Sequence, residues 1–308
     1  MLKKEVKRIL AVRSDRFGEF LLNIPAIRAL KETFSQGQLT VAVNSSVVEL
    51  ARAVECIDEV VVWDEAFRKG LRKERFDLCV ILNPTKEAHW AAFWAGIPLR
   101  VGYNRKWGFL LTHKLKDTKG LGIRHEVYSN LELVGLIGAT TQDKTVSIAV
   151  SQCPRMEFYG QEAVAIHPFT SDTVKQWPVE RFMELAGLIT RELKAKVIFV
   201  GKTKDGRGIE RNKDNLEAID LVNKTSLMEL ACVLKQCKLL VTCDSGPMHL
   251  ACAVGTPVVA LFRNDMPGKT AHRWGPWGKN NLAIEKPNLN DITVNNIVDS
   301  IRKLLQIE

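Results

Sequence analysis

Short apolar runs alternate with amphipathic stretches along almost the whole chain. Ile9 to Val12, Leu39 to Val43, Val60 to Trp63 and Leu78 to Leu82 are rich in β-branched or aliphatic residues and too short for helices, so they predict strands. Between them, Leu21 to Thr33 and Val47 to Ala53 carry the three-to-four-residue spacing of helices. Continuous apolar runs, rather than strict alternation, suit strands covered by helices on both faces. The expectation is a doubly wound α/β sheet.

After a basic stretch containing Trp and Gly, from Arg100 to Lys119, and a helix near His125 to Ile137, the pattern restarts. Strands are predicted at Val164 to His167, Lys196 to Val200, Lys238 to Thr242 and Pro257 to Phe262. Helices are predicted at Val179 to Glu192, Leu227 to Lys235 and Pro247 to Ala253. Cys153, Pro154 and Gly160 interrupt the periodicity, which puts a domain boundary between residues 151 and 160. Residues 1–154 and 155–308 therefore form two Rossmann-like domains facing each other across a cleft. The last helix, 294–305, is able to pack on either half.

A net charge of +9 favours an acidic partner, although solubility alone accounts for such a balance equally well. No stretch approaches the ~18 apolar residues that cross a bilayer, and Ile9 to Val12 is too short to be the core of a signal peptide. The expected location is cytoplasmic. Seven cysteines without a CxxC pair exclude a zinc knuckle or thioredoxin-like site, and read as small buried hydrophobes in a reducing compartment.

Three strand-to-helix turns carry candidate chemistry. Arg13-Ser-Asp-Arg-Phe-Gly-Glu19 follows the first strand, and Asp15 or Glu19 there is either a general base or a helix-capping charge. It is not GxGxxG, so no dinucleotide fingerprint is present. In His167-Pro-Phe-Thr-Ser-Asp-Thr-Val-Lys-Gln-Trp-Pro178, Thr170 and Ser171 offer hydroxyls and Lys175 a compact cation suited to phosphate, or simply a solvated loop. In Asp244-Ser-Gly-Pro-Met-His-Leu250, the N–H groups of Ser245 and Gly246 stand where a helix begins, a natural anion seat. His249 lies within the first helical turn, either on the ligand or packed, and Asp244 is alternatively a cap. Asp205, after the strand at 196–200, is placed to take ribose hydroxyls or to be a loop charge.

Together these pieces resemble glycosyltransferase family nine, the ADP-heptose:lipopolysaccharide heptosyltransferases. The resemblance runs nearly the full chain and rests on Asp15-Arg-Phe-Gly-Glu19 with Asn23-Ile-Pro25, on Lys175-Gln-Trp-Pro178, and on Asp244 to Leu250 with Ala253-Val-Gly-Thr-Pro257 behind it. It implies a GT-B fold, with acceptor held by the N-terminal domain and nucleotide sugar by the C-terminal one. Asp244, Ser245, Gly246 and His249 then hold the donor diphosphate, Lys175 contacts it, Thr170 and Ser171 belong to the preceding phosphate loop, and Asp205 meets the ribose. Glu19 stands where the family has a catalytic aspartate, and Asp15, Arg16 and Asn23 fall on the acceptor side.

The implied activity is inverting transfer of a heptose-like sugar from an ADP-sugar to a lipopolysaccharide core or related anionic, lipid-linked glycan. It needs no cofactor and, with no Asp-x-Asp pair in the chain, no metal. The partners implied are donor and acceptor alone, with no nucleic acid. Association with the inner face of the plasma membrane would follow from the acceptor. Arg100, Arg105, Lys106, Lys114, Lys116 and Lys119 around Trp107 and Phe109 suit an anionic glycan, or form a solvated charged loop. A nucleotide-sugar epimerase of the same shape and a nucleotide-binding relative with a decayed site are the alternatives.

Overall fold

The computed structural model describes residues 6–151, 153–158, 160–203, 206 and 218–306. The chain divides into two compact units, Met1–Ala149 and Val150–Glu308, a few residues before the boundary that the sequence pattern suggests.

The first unit carries strands β1 (Arg8–Arg13), β2 (Gln38–Val43), β3 (Glu59–Val62), β4 (Leu78–Ile81), β5 (Leu99–Asn104) and β6 (His113–Lys116). Its helices are α1 (Phe17–Leu21), α2 (Ile24–Thr33), α3 (Val48–Arg52), α4 (Glu65–Gly70), α5 (Lys86–Trp94) and α6 (Glu126–Gly135). Among the described residues its sheet has six strands in the order β3-β2-β1-β4-β5-β6, all parallel. Such strands need helices on both faces, which explains why β1, β2 and β4 are buried almost throughout.

The second unit carries β7 (Ala163–His167), β8 (Lys196–Phe199), β9 (Ala218–Asp220), β10 (Leu239–Cys243), β11 (Val258–Arg263) and β12 (Asn281–Lys286). Its helices are α7 (Val179–Glu192), α8 (Leu227–Gln236), α9 (Gly246–Ala253), α10 (Ala271–Trp274) and α11 (Val294–Leu305). The order β12-β11-β10-β7-β8-β9 is the first sheet read from its other edge, and it too is parallel. In both sheets the order reverses at the first strand of the unit, between β1 and β4 and between β7 and β10. Ligands of open α/β sheets bind at the carboxyl ends of strands beside such a reversal.

The predicted doubly wound class holds in both units, with local corrections. The single helix expected over 21–33 is two, α1 and α2, because the chain turns at Leu22 and Asn23 before Pro25 opens α2. The stretch 100–119 holds β5 and β6 rather than only a charged loop. The last helix packs within the second unit. Val294, Ile297, Val298 and Ile301 form one apolar stripe buried against α7 and the sheet, each contributing about 1.5–3 kcal/mol on full burial. Thr293 and Asn296 close a capping box at its start.

The cysteines are also corrected in part. Cys153 and Cys232 form a disulfide, while Cys79, Cys237 and Cys243 are the buried free thiols expected. The segment holding Cys153 lies back on α8, where the Gln236 side chain accepts from Met156 N–H at 3.1 Å and donates to Pro154 O at 3.1 Å. That anchoring brings together two thiols separated by 79 residues.

Candidate active site at the strand switch points

In the second unit the switch point is built from the ends of β7 and β10. Thr242 is the direct register partner of His167, and its hydroxyl meets His167 Nδ1 at 2.9 Å. The Ser245 hydroxyl joins the same pair, 2.9 Å from Thr242 Oγ1 and 3.3 Å from Nδ1. Burial pushes the His167 pKa down to about 4, so the ring is neutral at physiological pH and serves as a hydrogen-bonding post, not a cation. Gly201 makes room for it. Its φ is +124°, and a Cβ there would stand 2.5 Å from the His167 ring.

Ser245 occupies the N-cap of α9 but makes no side-chain capping bond, since its hydroxyl is engaged with Thr242. The first turn of α9 therefore keeps backbone N–H donors, with Pro247 contributing none, and the positive end of the helix dipole. Gly246 is the first helical residue and His249 is buried in that turn. The N-cap position is held by Ser245, not by Asp244. The Asp244 carboxylate pairs with Lys175.

Lys175 ends a short 3-10 turn whose start is capped by Asp172, with Val174 N–H donating to Oδ1 at 3.2 Å. The next residues nail that turn to the core. Gln176 donates to Pro168 O at 2.7 Å, and Trp177 is fully buried. The Trp177 N–H reaches Cys243 Sγ at 3.4 Å, its indole N–H donates to Ile292 O at 3.0 Å, and Phe182 meets the ring edge-on at 4.8 Å. A lysine two residues from such an anchor is held in place, so the Lys175–Asp244 pair is a fixed feature of the turn. Thr170 spends its hydroxyl on Asp172 O at 2.6 Å, and Ser171 is exposed. Asp205 lies outside the described residues.

In the first unit, Arg13 ends β1 and is buried. Its Nη1 donates to Leu82 O at 3.0 Å, across to the chain leaving β4, and its Nε holds Asp15 at 2.7 Å. Arg16 is mostly exposed and places Nη2 2.6 Å from Glu19 Oε1. Burial nonetheless raises the Glu19 pKa above the usual carboxylate value, against the lowering pull of Arg16. A carboxylate so tuned is a better proton acceptor than a solvated one. Asn23 is fully buried, and its amide donates to Glu19 O at 2.5 Å. It fixes the α1–α2 corner that carries Glu19.

The structure thus brings Lys175, Asp244, Ser245, Gly246 and His249 to one turn region of the second unit, and Asp15, Arg16, Glu19 and Asn23 to one corner of the first. It separates the basic stretch. Lys119 is buried against Glu126 and Asn130, Arg105 pairs with Asp117, and Arg100 donates to Leu110 O at 2.7 Å.

Four residues at these strand ends were not singled out as site residues from sequence: Arg13, His167, Thr242 and Arg263. Arg263 ends β11, pairs with Asp265 and reaches Val174 O at 3.5 Å, beside Lys175. All four share one sequence signal. Each is a polar residue at the end of an apolar run or one position before it, and so stands at the carboxyl edge of a strand.

Residues 65–302 match the profile of glycosyltransferase family 9 (heptosyltransferase). Lipopolysaccharide heptosyltransferase 3 of Escherichia coli (strain K12) is 24% identical over 322 aligned positions, covering 94% of this chain and 91% of that protein. The crystal structure of a family 9 glycosyl transferase from Veillonella parvula DSM 2008 superposes with a TM-score of 0.87 at 21% identity, over 99% of both chains. The E. coli heptosyltransferase WaaC with ADP gives 0.74 at 18% identity, over 97% of this chain and 98% of that one.

Proposed function

The chain belongs to glycosyltransferase family 9, and from that premise we propose that it moves a heptose-like sugar from an ADP-sugar to an anionic, lipid-linked glycan acceptor of the lipopolysaccharide core type. The observation that carries the reading is the Lys175–Asp244 pair beside the open first turn of α9, at the reversal of strand order. A diphosphate seated there would meet a cation, backbone N–H groups and a helix dipole together. The ADP in the WaaC structure supports adenosine diphosphate as the leaving group.

Glu19 takes the proton of an acceptor hydroxyl. That oxygen attacks the anomeric carbon of the donor, forming the new glycosidic bond as the bond to the diphosphate oxygen breaks with its electron pair. One displacement inverts the configuration. Negative charge grows on the leaving diphosphate, where Lys175 and the N–H groups at Ser245 and Gly246 stabilise it. Preorganised stabilisation of developing charge is usually the largest single contribution to catalysis. The neutral His167 and Thr242 hold Ser245 in place. No metal is required in this scheme, because the lysine and the helix end supply the positive charge. The enzyme works at the cytoplasmic face of the membrane that carries its acceptor.

Calorimetry of the purified protein with ADP, GDP and UDP, each with and without magnesium, tests the reading. Selective, magnesium-independent ADP binding that is lost in Lys175→Ala supports it. Selective GDP or UDP binding reassigns the donor, and absence of binding to all three overturns it.

A further inference from the structure

α5 is built inside out. Ala88, His89 and Ala92 face the core, with Ala91 and Ala95 packed at its margin, while Trp90, Phe93 and Trp94 face away from it. A surface helix in water normally turns its large apolar residues inward. Here Trp94 is 70% exposed and Phe93 41%, and Phe109, which follows β5, is 65% exposed. These rings form one patch around Trp90. Trp94 stacks on it at 6.0 Å, Trp107 meets it at 6.3 Å and Phe109 at 6.2 Å. A contiguous exposed patch of this kind marks a binding surface.

The surroundings identify the partner. Two open hollows flank the rings: one of about 550 Å³ lined by Lys86, Glu87, Trp90, Trp94 and Trp107, and one of about 420 Å³ between α4 and α5 that adds Arg68, Lys69 and Arg72. Lys106 stands over the Trp107 ring at 5.4 Å. Glu65 and Glu87 are the acidic members of the rim, outnumbered by its cations, and Glu65 is paired with Lys69. Aromatic rings that enter the headgroup boundary, bordered by Lys and Arg that meet anionic headgroups, are how proteins rest on charged bilayers. Because Trp94 already covers Trp90, the patch presents bulk apolar surface instead of a bare platform for a single sugar ring.

We propose that the α5 face, centred on Trp90, Trp94 and Phe109, docks the protein onto an anionic lipid bilayer. The docking rests on this surface and not on the donor site, so it stands or falls separately from the transferase reading.

The full chain is sedimented with phosphatidylcholine–phosphatidylglycerol vesicles and with pure phosphatidylcholine vesicles. The expected result is pelleting with the anionic vesicles, weakened by salt, and quenching of tryptophan fluorescence by brominated acyl chains. Combining Trp94→Ala with Phe109→Ala lowers the partition coefficient about tenfold or more at unchanged melting temperature, since both side chains are exposed. Arg72→Gln with Lys106→Gln removes the preference for phosphatidylglycerol. The proposal is overturned if the wild type stays in the supernatant, if it pellets without quenching, or if the aromatic double variant pellets as the wild type does.

Discussion

The ammonium of Lys175 rests on the carboxylate of Asp244, although the two are 69 positions apart in the chain. Each comes from a loop following a central strand of the second sheet, so the pair spans the reversal in strand order. A lysine held by a carboxylate is oriented before any anion arrives, and the carboxylate offsets its charge until then.

Removing the lysine should therefore cost more than a surface ion pair would. Lys175→Ala is expected to lower kcat by about 10²–10³, as loss of one preorganised stabilising group does, and to weaken nucleotide binding by calorimetry. Asp244→Ala should also impair turnover, and the double variant should be little worse than Lys175→Ala. Additive losses would show that the two act independently.

Glu19 should govern the acid limb of the rate profile. Its pKa is raised by burial, so kcat/KM is expected to fall as pH drops through an apparent value above the ordinary carboxylate one. Glu19→Gln should lose about 10²–10⁴ in kcat. Stability carries the opposite sign. A raised folded-state pKa makes the ionised form a cost to folding above that pKa, so Glu19→Gln is expected to gain melting temperature near neutrality and lose the gain in acid. Thermal scans at both pH values check this.

His167 gives a second pH signature. Its folded-state pKa of about 4 lies below the unfolded value near 6.5, so the unfolded chain binds more protons between them. Stability should be complete above about 6.5 and fall by roughly 3 kcal/mol on acidification through that window. His167→Asn should flatten the slope. Gly201→Ala, which drives a methyl into the imidazole from a left-handed backbone, should cost on the order of 1–3 kcal/mol and loosen Ser245. Urea unfolding across the pH range measures both.

The Cys153–Cys232 bridge closes a long loop, and removing it with Cys153→Ser is expected to cost about 2–4 kcal/mol. Dithiothreitol should lower the melting temperature of the wild type and leave that of the variant unchanged. Equal effects of the reductant on both would mean that the bridge contributes nothing.

Much of this was legible in the chain because parallel central strands are apolar throughout. Val164 to Ile166 and Leu239 to Val241 announce β7 and β10 without ambiguity. Among the edge strands, β3 is legible from its run of valines, but β6 and β12 are not. β6 reads His-Lys-Leu-Lys, β12 ends in Glu and Lys, and both look like loops because each lies at the edge of its sheet among the described residues. The motif residues were found because glycine, proline and charge cluster after strands. Arg13, His167, Thr242 and Arg263 are harder to read, because each stands at the carboxyl end of a strand, where a polar residue looks like the end of the strand instead of a working position. The bridge was hidden by distance alone: nothing local relates Cys153 to Cys232.

Trp177 ties the core of the second unit to the loop that carries Lys175, and this couples ligand occupancy to the lifetime of the folded chain. Whatever stiffens the loop from outside also tightens the packing around the indole. A nucleotide held there at a hundred times its Kd would add about 2.7 kcal/mol to stability. Under the proposed donor assignment, scarcity of nucleotide sugar would leave the protein correspondingly easier to unfold and degrade, and its abundance would follow the supply of that donor.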